Sequence, residues 1–150
     1  MRVIERELQK NLFFEKLHQH GRGALVLDYD GTLAPFRQNR CEAFPYPGVR
    51  HSLERIIAAK NTRVVLVSGR PVEEVKALLG IVPAPEIWGV HGLQRLRPNG
   101  VCEMACLADA DLEVFAKARS WLGLHGLKHL AEIKPGSIAV RWRGIPRRGG

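Results

Sequence analysis

Two carboxylates one residue apart, Asp28 and Asp30, stand directly behind a short apolar run, Ala24 to Leu27. A carboxylate in that position can attack phosphorus and form an aspartyl-phosphate, which splits a difficult hydrolysis into two easier steps. The second carboxylate can protonate the leaving alcohol and then activate water. Carboxylates with a backbone carbonyl also suit a hard cation such as magnesium, which would offset repulsion between nucleophile and phosphate. Gly31 and Thr32 follow, a turn whose amides and hydroxyl could meet phosphate oxygens. A second polar turn, Ser68-Gly69-Arg70, stands behind the apolar run Val64 to Val67 and could hold phosphate with a hydroxyl, an amide and a positive charge. An isolated Asp-x-Asp is usually a solvated turn or helix cap. The specificity lies in the whole string Asp28-Tyr29-Asp30-Gly31-Thr32-Leu33 at the end of a buried run.

The elements that must position these residues read as an alternating pattern. Ile4, Leu8, Leu12 and Leu17 recur at helical spacing, which predicts a helix over 3–19. The runs 24–27 and 64–67 read as buried parallel strands, and 87–90 as a third. Between them, Pro47-Gly48 opens a helix with Leu53, Ile56 and Ile57 inward. Pro71 suits the first turn of another, which carries Val75, Leu78 and Leu79 and closes at Gly80. Residues 93–96 and 101–104 flank Pro98-Asn99-Gly100, a hairpin signal. This is an open α/β sheet with right-handed crossovers. In such sheets ligands sit beyond the carboxyl ends of the strands, so Asp28 and Ser68 converge on one edge. After Ala108 the texture changes: 112–122 reads as helix, and 128–133 and 137–142 as strands around Pro135-Gly136. The expected organisation is a core over 1–108 and a second α+β module over 109–150.

Composition excludes several classes. Of 150 residues, 45% are hydrophobic and 25% charged, which fits a globular domain and excludes a disordered one. No apolar run approaches the ~20 residues of a membrane span, and no signal-like apolar block opens the chain, so a cytoplasmic location is expected. Cys41, Cys102 and Cys106 lack zinc-ligand spacing and are expected to be free, buried thiols. The net charge of +8 suits an anionic small substrate. Nucleic acid is not expected, because no basic stretch is interleaved with aromatics.

Asp28-Tyr29-Asp30-Gly31-Thr32-Leu33-Ala34-Pro35 resembles the first motif of the haloacid dehalogenase superfamily, and its tyrosine and Leu-Ala-Pro continuation resemble the trehalose-6-phosphate phosphatase family. Val64 to Arg70 resembles the second motif. Gly89-Val90-His91-Gly92-Leu93 with Arg97-Pro98-Asn99-Gly100 resembles the next block. Glu132-Ile133-Lys134 with Ser137 to Val140 resembles the Glu-x-Lys segment of the family's cap.

The resemblance implies a Rossmann-like haloacid dehalogenase core and the beginning of a cap, incomplete within this chain. It implies a magnesium-dependent phosphatase that converts trehalose 6-phosphate to trehalose. Asp28 would be the nucleophile and Asp30 the general acid/base. The Asp28 carboxylate and the Asp30 backbone carbonyl would hold Mg2+. Ser68 would bind phosphate, with Gly31, Thr32, Gly69 and Arg70 around it. Glu132, Lys134 and Arg143 would bind the sugar from the cap, and His91 is a further substrate-contact candidate. Arg141-Trp142-Arg143 stands where the family has His-Tyr-Arg. The family's later lysine and Gly-Asp-Asp motifs have no counterpart here, so little turnover is expected of these 150 residues alone. A phosphatase of another sugar phosphate and a non-catalytic fragment are the alternatives.

Overall fold

Glycine and five residues rich in branched side chains form β1 (Gly23–Asp28), the strand that ends on the first carboxylate. The computed structural model describes residues 12, 14–16, 19–134 and 136–140. The helix expected over 3–19 falls largely outside these residues, as do Arg141, Trp142, Arg143, Arg147 and Arg148.

The chain divides into two compact units, Met1–Glu103 and Met104–Gly150. In the first, α1 (Val49–Ala59) follows Gly48, then come β2 (Thr62–Val67), α2 (Val72–Leu79), β3 (Glu86–Gly89), β4 (Gln94–Leu96) and β5 (Cys102–Met104). The sheet order is β1-β2-β3-β4-β5. β1, β2 and β3 run parallel, and β4 returns antiparallel to β3. This is the α/β architecture that the alternating pattern predicts.

The register fixes which side chains reach the core. Leu25 and Leu27 pair with Val64 and Leu66, and Leu66 pairs with Ile87. These residues share one face because side chains alternate along a strand. Leu53 of α1 and Val72, Val75, Leu78 and Leu79 of α2 pack against it. The opposite face is more open: Val26 is 61% and Val67 37% exposed. The three parallel strands therefore carry α1 and α2 on the side of one shared core.

The Asn99 turn forms as expected. Asn99 Oδ1 accepts from the Val101 amide at 3.2 Å, and the Arg97 amide donates to the Val101 carbonyl at 2.8 Å. Three expectations need correction. The strand expected over 87–90 ends at Gly89, because Val90, His91 and Gly92 turn through left-handed backbone with φ of 50, 55 and 96°. The cysteines are free but exposed rather than buried, with Cys41 in a surface turn and Cys102 on β5, whose residues are all exposed.

The third correction lies in the second unit. It holds α3 (Asp109–Leu124) and a hairpin of β6 (Ala131–Lys134) and β7 (Ser137–Val140). The strand expected over 128–133 starts only at Ala131. Residues 128–130 form a 3-10 turn instead, whose hydrogen bonds are local: the Leu130 amide donates to the Leu127 carbonyl at 3.0 Å. No helix among the described residues is long and apolar enough to cross a membrane.

Candidate active site

β1 and β2 end together. Asp28, the last residue of β1, is level with Val67, and Ser68 follows Val67 directly. The two polar turns thus meet at the carboxyl edge of a parallel pair, as the sequence predicts. Asp28 is exposed, and no hydrogen bond or ion pair engages its carboxylate among the described residues.

The loop after β1 is pinned by Tyr29. Its ring is fully buried, and its hydroxyl donates to the Ala43 carbonyl at 2.9 Å. The Tyr29 carbonyl accepts from the amides of Leu33 and Ala34, both at 3.0 Å. Burial pushes the phenol up to about 12, against an opposing pull from Arg70. The Gly31 amide donates to the Ala34 carbonyl at 2.7 Å, so in this loop it serves the turn rather than an open anion site. Thr32 is exposed beside it.

Ser68 is buried. Its Oγ accepts from the Arg70 amide at 3.1 Å, and its backbone continues the sheet by donating to the Trp88 carbonyl at 2.9 Å. An oxygen that already accepts from an amide has its own proton left to donate. Backbones approach closely here. A Cβ on Gly89 would stand 2.7 Å from the Arg70 carbonyl oxygen and 2.9 Å from the Val72 nitrogen, so only glycine lets β3 end against the start of α2. The left-handed turn that follows carries His91 back to this edge, where its amide donates to the Ser68 carbonyl at 3.2 Å.

Arg70 does not point where the sequence suggests. Expected beside a phosphate, it is committed within the protein. Its Nε and Nη2 donate to Asp30 Oδ2 and Oδ1, both at 2.7 Å. Its Nη1 donates to the Arg40 carbonyl at 2.7 Å and to Glu74 Oε1 at 3.2 Å. The hydrogen bond to Asp30 raises the guanidinium further above its ordinary range, although burial opposes this. Arg40 and Glu74, which sequence reasoning missed, brace the other side through an ion pair of 2.6 Å. Glu74 lies four residues after Arg70, a spacing that favours contact along a helix, but Asp30 and Arg40 lie 40 and 30 residues away.

The donor set fits a hard cation in part. The Asp28 carboxylate and the Asp30 carbonyl have no protein partner among the described residues, while both Asp30 carboxylate oxygens face Arg70. No group of three or more metal-ligating side chains gathers among those residues. Magnesium commonly keeps several waters and uses only one or two protein carboxylates. In the second unit, Glu132 and Lys134 share one face of β6, with Lys134 Nζ 3.4 Å from Glu132 Oε1. Arg143 lies outside the described residues.

A family model described as Trehalose-phosphatase matches residues 26–125, which hold both polar turns. The chain belongs to the trehalose-phosphatase family. It is 30% identical over 131 residues to a trehalose-phosphate phosphatase of Mycobacterium leprae, covering 83% of this chain and 29% of that protein. It is 30% identical over 129 residues to a probable trehalose-phosphate phosphatase of Sinorhizobium fredii, covering 83% of this chain and 46% of that protein. The chain thus spans less than half the length of these trehalose-phosphatase relatives. Solved structures share the fold. The C-terminal domain of Candida albicans trehalose-6-phosphate phosphatase has a TM-score of 0.66 at 21% identity, over 83% of this chain and 43% of that one. A haloacid dehalogenase-like hydrolase from Bacillus subtilis has a TM-score of 0.54 at 19% identity, over 70% of this chain and 34% of that one.

Proposed function

We propose that this chain contributes the nucleophile half of a phosphatase acting on trehalose 6-phosphate. The observation that carries this reading is the placement of Asp28, open at the end of β1, beside Ser68 at the end of β2. Family membership supports the substrate class.

In the first step, an Asp28 carboxylate oxygen attacks phosphorus. The bond from phosphorus to the sugar oxygen breaks, and the departing oxygen takes a proton from Asp30. In the second step, water attacks the phosphorus of the acyl phosphate and gives a proton to the Asp30 carboxylate. The bond between Asp28 and phosphorus breaks, releasing phosphate and restoring the Asp28 carboxylate and the protonated Asp30. Ser68 donates its hydroxyl proton to a phosphate oxygen, with Thr32 and the Gly69 backbone at the same edge. His91 stands at the rim of this site. Mg2+, held by the Asp28 carboxylate and the Asp30 carbonyl, would supply charge neutralisation at the phosphate. Glu132 and Lys134 would contact sugar hydroxyls from the second unit.

The test is phosphate release from trehalose 6-phosphate with magnesium, set against an Asp28→Asn control and a panel of other sugar phosphates. Release by the parent chain that is slow, as expected of these 150 residues alone, and that Asp28→Asn abolishes is the expected result. Equal release by both proteins refutes the assignment, and faster release from another sugar phosphate moves the substrate.

A further inference from the structure

Asp30 sits on a loop rather than in a strand, and a short side chain on a loop samples several rotamers unless something fixes it. Here both of its oxygens accept from one planar group. The Arg70 fork places Nε on Oδ2 and Nη2 on Oδ1, each at 2.7 Å, so the plane of the carboxylate is set by the plane of the guanidinium. That guanidinium is itself immobilised. It is 7% exposed, its carbon lies 5.9 Å from the centroid of the buried Tyr29 ring, and Nη1 is held by the Arg40 carbonyl and Glu74.

Only one of its five N–H donors, on Nη2, is left uncommitted by these four bonds. With that single donor Arg70 has no bidentate grip to offer a phosphate unless it abandons Asp30 and leaves a partly buried carboxylate unpaired. Asp30, by contrast, is 27% exposed. Each of its oxygens keeps a lone pair outside the fork, where a proton can be held and passed on.

We propose that Arg70 is a positioning residue for Asp30, fixing the carboxylate that transfers the proton, and is not a phosphate ligand. This rests on the phosphatase reading. The chain of contacts runs from the Arg40–Glu74 pair through Arg70 to Asp30, so α2 orients a group on the loop after β1.

The experiment compares two substrates in the full chain with magnesium. Trehalose 6-phosphate has a sugar alcohol as leaving group, which needs a proton. p-Nitrophenyl phosphate has a leaving group that departs without one. Lysine cannot reproduce the fork, so Arg70→Lys is expected to lower kcat/KM for trehalose 6-phosphate, which reads only the steps through phosphoryl transfer to Asp28, by about 10²-fold. For p-nitrophenyl phosphate the fall in kcat/KM is expected to stay within about threefold, a small part of what proton transfer contributes, because its leaving group needs no proton and the later hydrolysis step does not enter kcat/KM. An equal fall for both substrates means a merely structural role and overturns the proposal. A rise in KM for both with kcat held means a phosphate ligand and also overturns it. If Arg70→Lys does not fold, Glu74→Gln removes only the outer brace and is expected to show the same asymmetry, smaller.

Absence of turnover by the parent chain on either substrate would count against the phosphatase reading alone. A thermal-unfolding cycle then tests the fork itself. With Arg70→Lys, Asp30→Asn and the double variant, coupling is expected: the double variant melts no lower than the worse single one. Additive losses overturn the fork.

Discussion

The imidazole of His91 lies against the backbone of Gly69, so near that a Cβ on Gly69 would stand 2.6 Å from His91 Cε1 and 2.9 Å from Nε2. The contact is made at the expense of backbone strain. His91 has φ of 55° and the preceding Val90 φ of 50°, a conformation that side chains with a Cβ rarely adopt. Strain held at a strand end against Ser68 and Gly69 points to a position kept for function rather than stability. His91→Gly relieves that strain at an exposed residue, so it is expected to raise stability by roughly 1 kcal/mol while lowering kcat/KM for phosphate release. His91→Ala keeps the strain and should lower activity without the gain in Tm. Melting curves and initial rates on the two variants check both halves. A fall in Tm for His91→Gly, with activity unchanged, would show that the turn is merely structural.

Tyr29 offers a pH test of how the loop after β1 is held. Its hydroxyl donates to the Ala43 carbonyl inside the core, and burial raises its pKa from 10.0 to about 12. The folded state therefore keeps this proton over a range in which the unfolded chain has lost it. The contribution is complete below pH 10 and is lost as pH rises toward about 12. Tyr29→Phe lacks this dependence. It should cost about 1–2 kcal/mol at neutral pH by leaving the Ala43 carbonyl unpaired. Tm measured from pH 8 upward should fall faster for the parent than for Tyr29→Phe, so the two curves converge.

The strand ends were legible because an apolar run stops sharply at a polar residue in both places, at Asp28 and at Ser68. Arg70 was legible as a charge at that edge but not in its role. Its partner Asp30 is 40 residues away, and no periodicity encodes which of two nearby anionic groups an arginine will choose. Val90 continued an apolar run in the sequence, and its residue type gave no sign of the left-handed backbone it adopts. The exposure of the cysteines was missed because residue type carries an average burial, whereas Cys102 lies on β5, exposed along its length. Lys128 to Leu130 read as strand but satisfied their backbone locally.

Glu86 was invisible for the same reason as Arg70. It reads as a boundary residue before Ile87, yet its side chain is 1% exposed. It accepts from Arg63 Nε at 2.8 Å, Trp88 Nε1 at 3.0 Å and Arg95 Nε at 2.9 Å, tying β2, β3 and β4 together. Burial alone would raise its pKa, but the hydrogen bonds from Arg63, Trp88 and Arg95 outweigh it and hold the carboxyl below 4.5. The stabilisation is thus present above pH 4.5, the unfolded value, and is lost as pH falls through the lower folded value. Glu86→Gln should cost about 2 kcal/mol at pH 7, because it leaves two guanidinium groups without their carboxylate. The gap in Tm between parent and variant should then shrink below pH 4.5. A gap constant down to pH 3 would mean that Glu86 acts through shape and not charge.

Glu132 and Lys134 let sugar contact be separated from a simple ion pair. Their charged atoms are 3.4 Å apart on β6, and both side chains are partly exposed. A pair of this kind contributes about 0–1 kcal/mol, so Glu132→Gln should barely move Tm. A carboxylate that accepts from sugar hydroxyls is another matter, since a sugar site left with the wrong donor pattern loses substrate affinity. The expected result is a KM for trehalose 6-phosphate raised about tenfold, which corresponds to about 1.4 kcal/mol, with KM for p-nitrophenyl phosphate unchanged because that substrate carries no sugar. Equal KM shifts for the two substrates would place the effect at the phosphate end. No shift for either would leave Glu132 and Lys134 as the surface pair their spacing already allows.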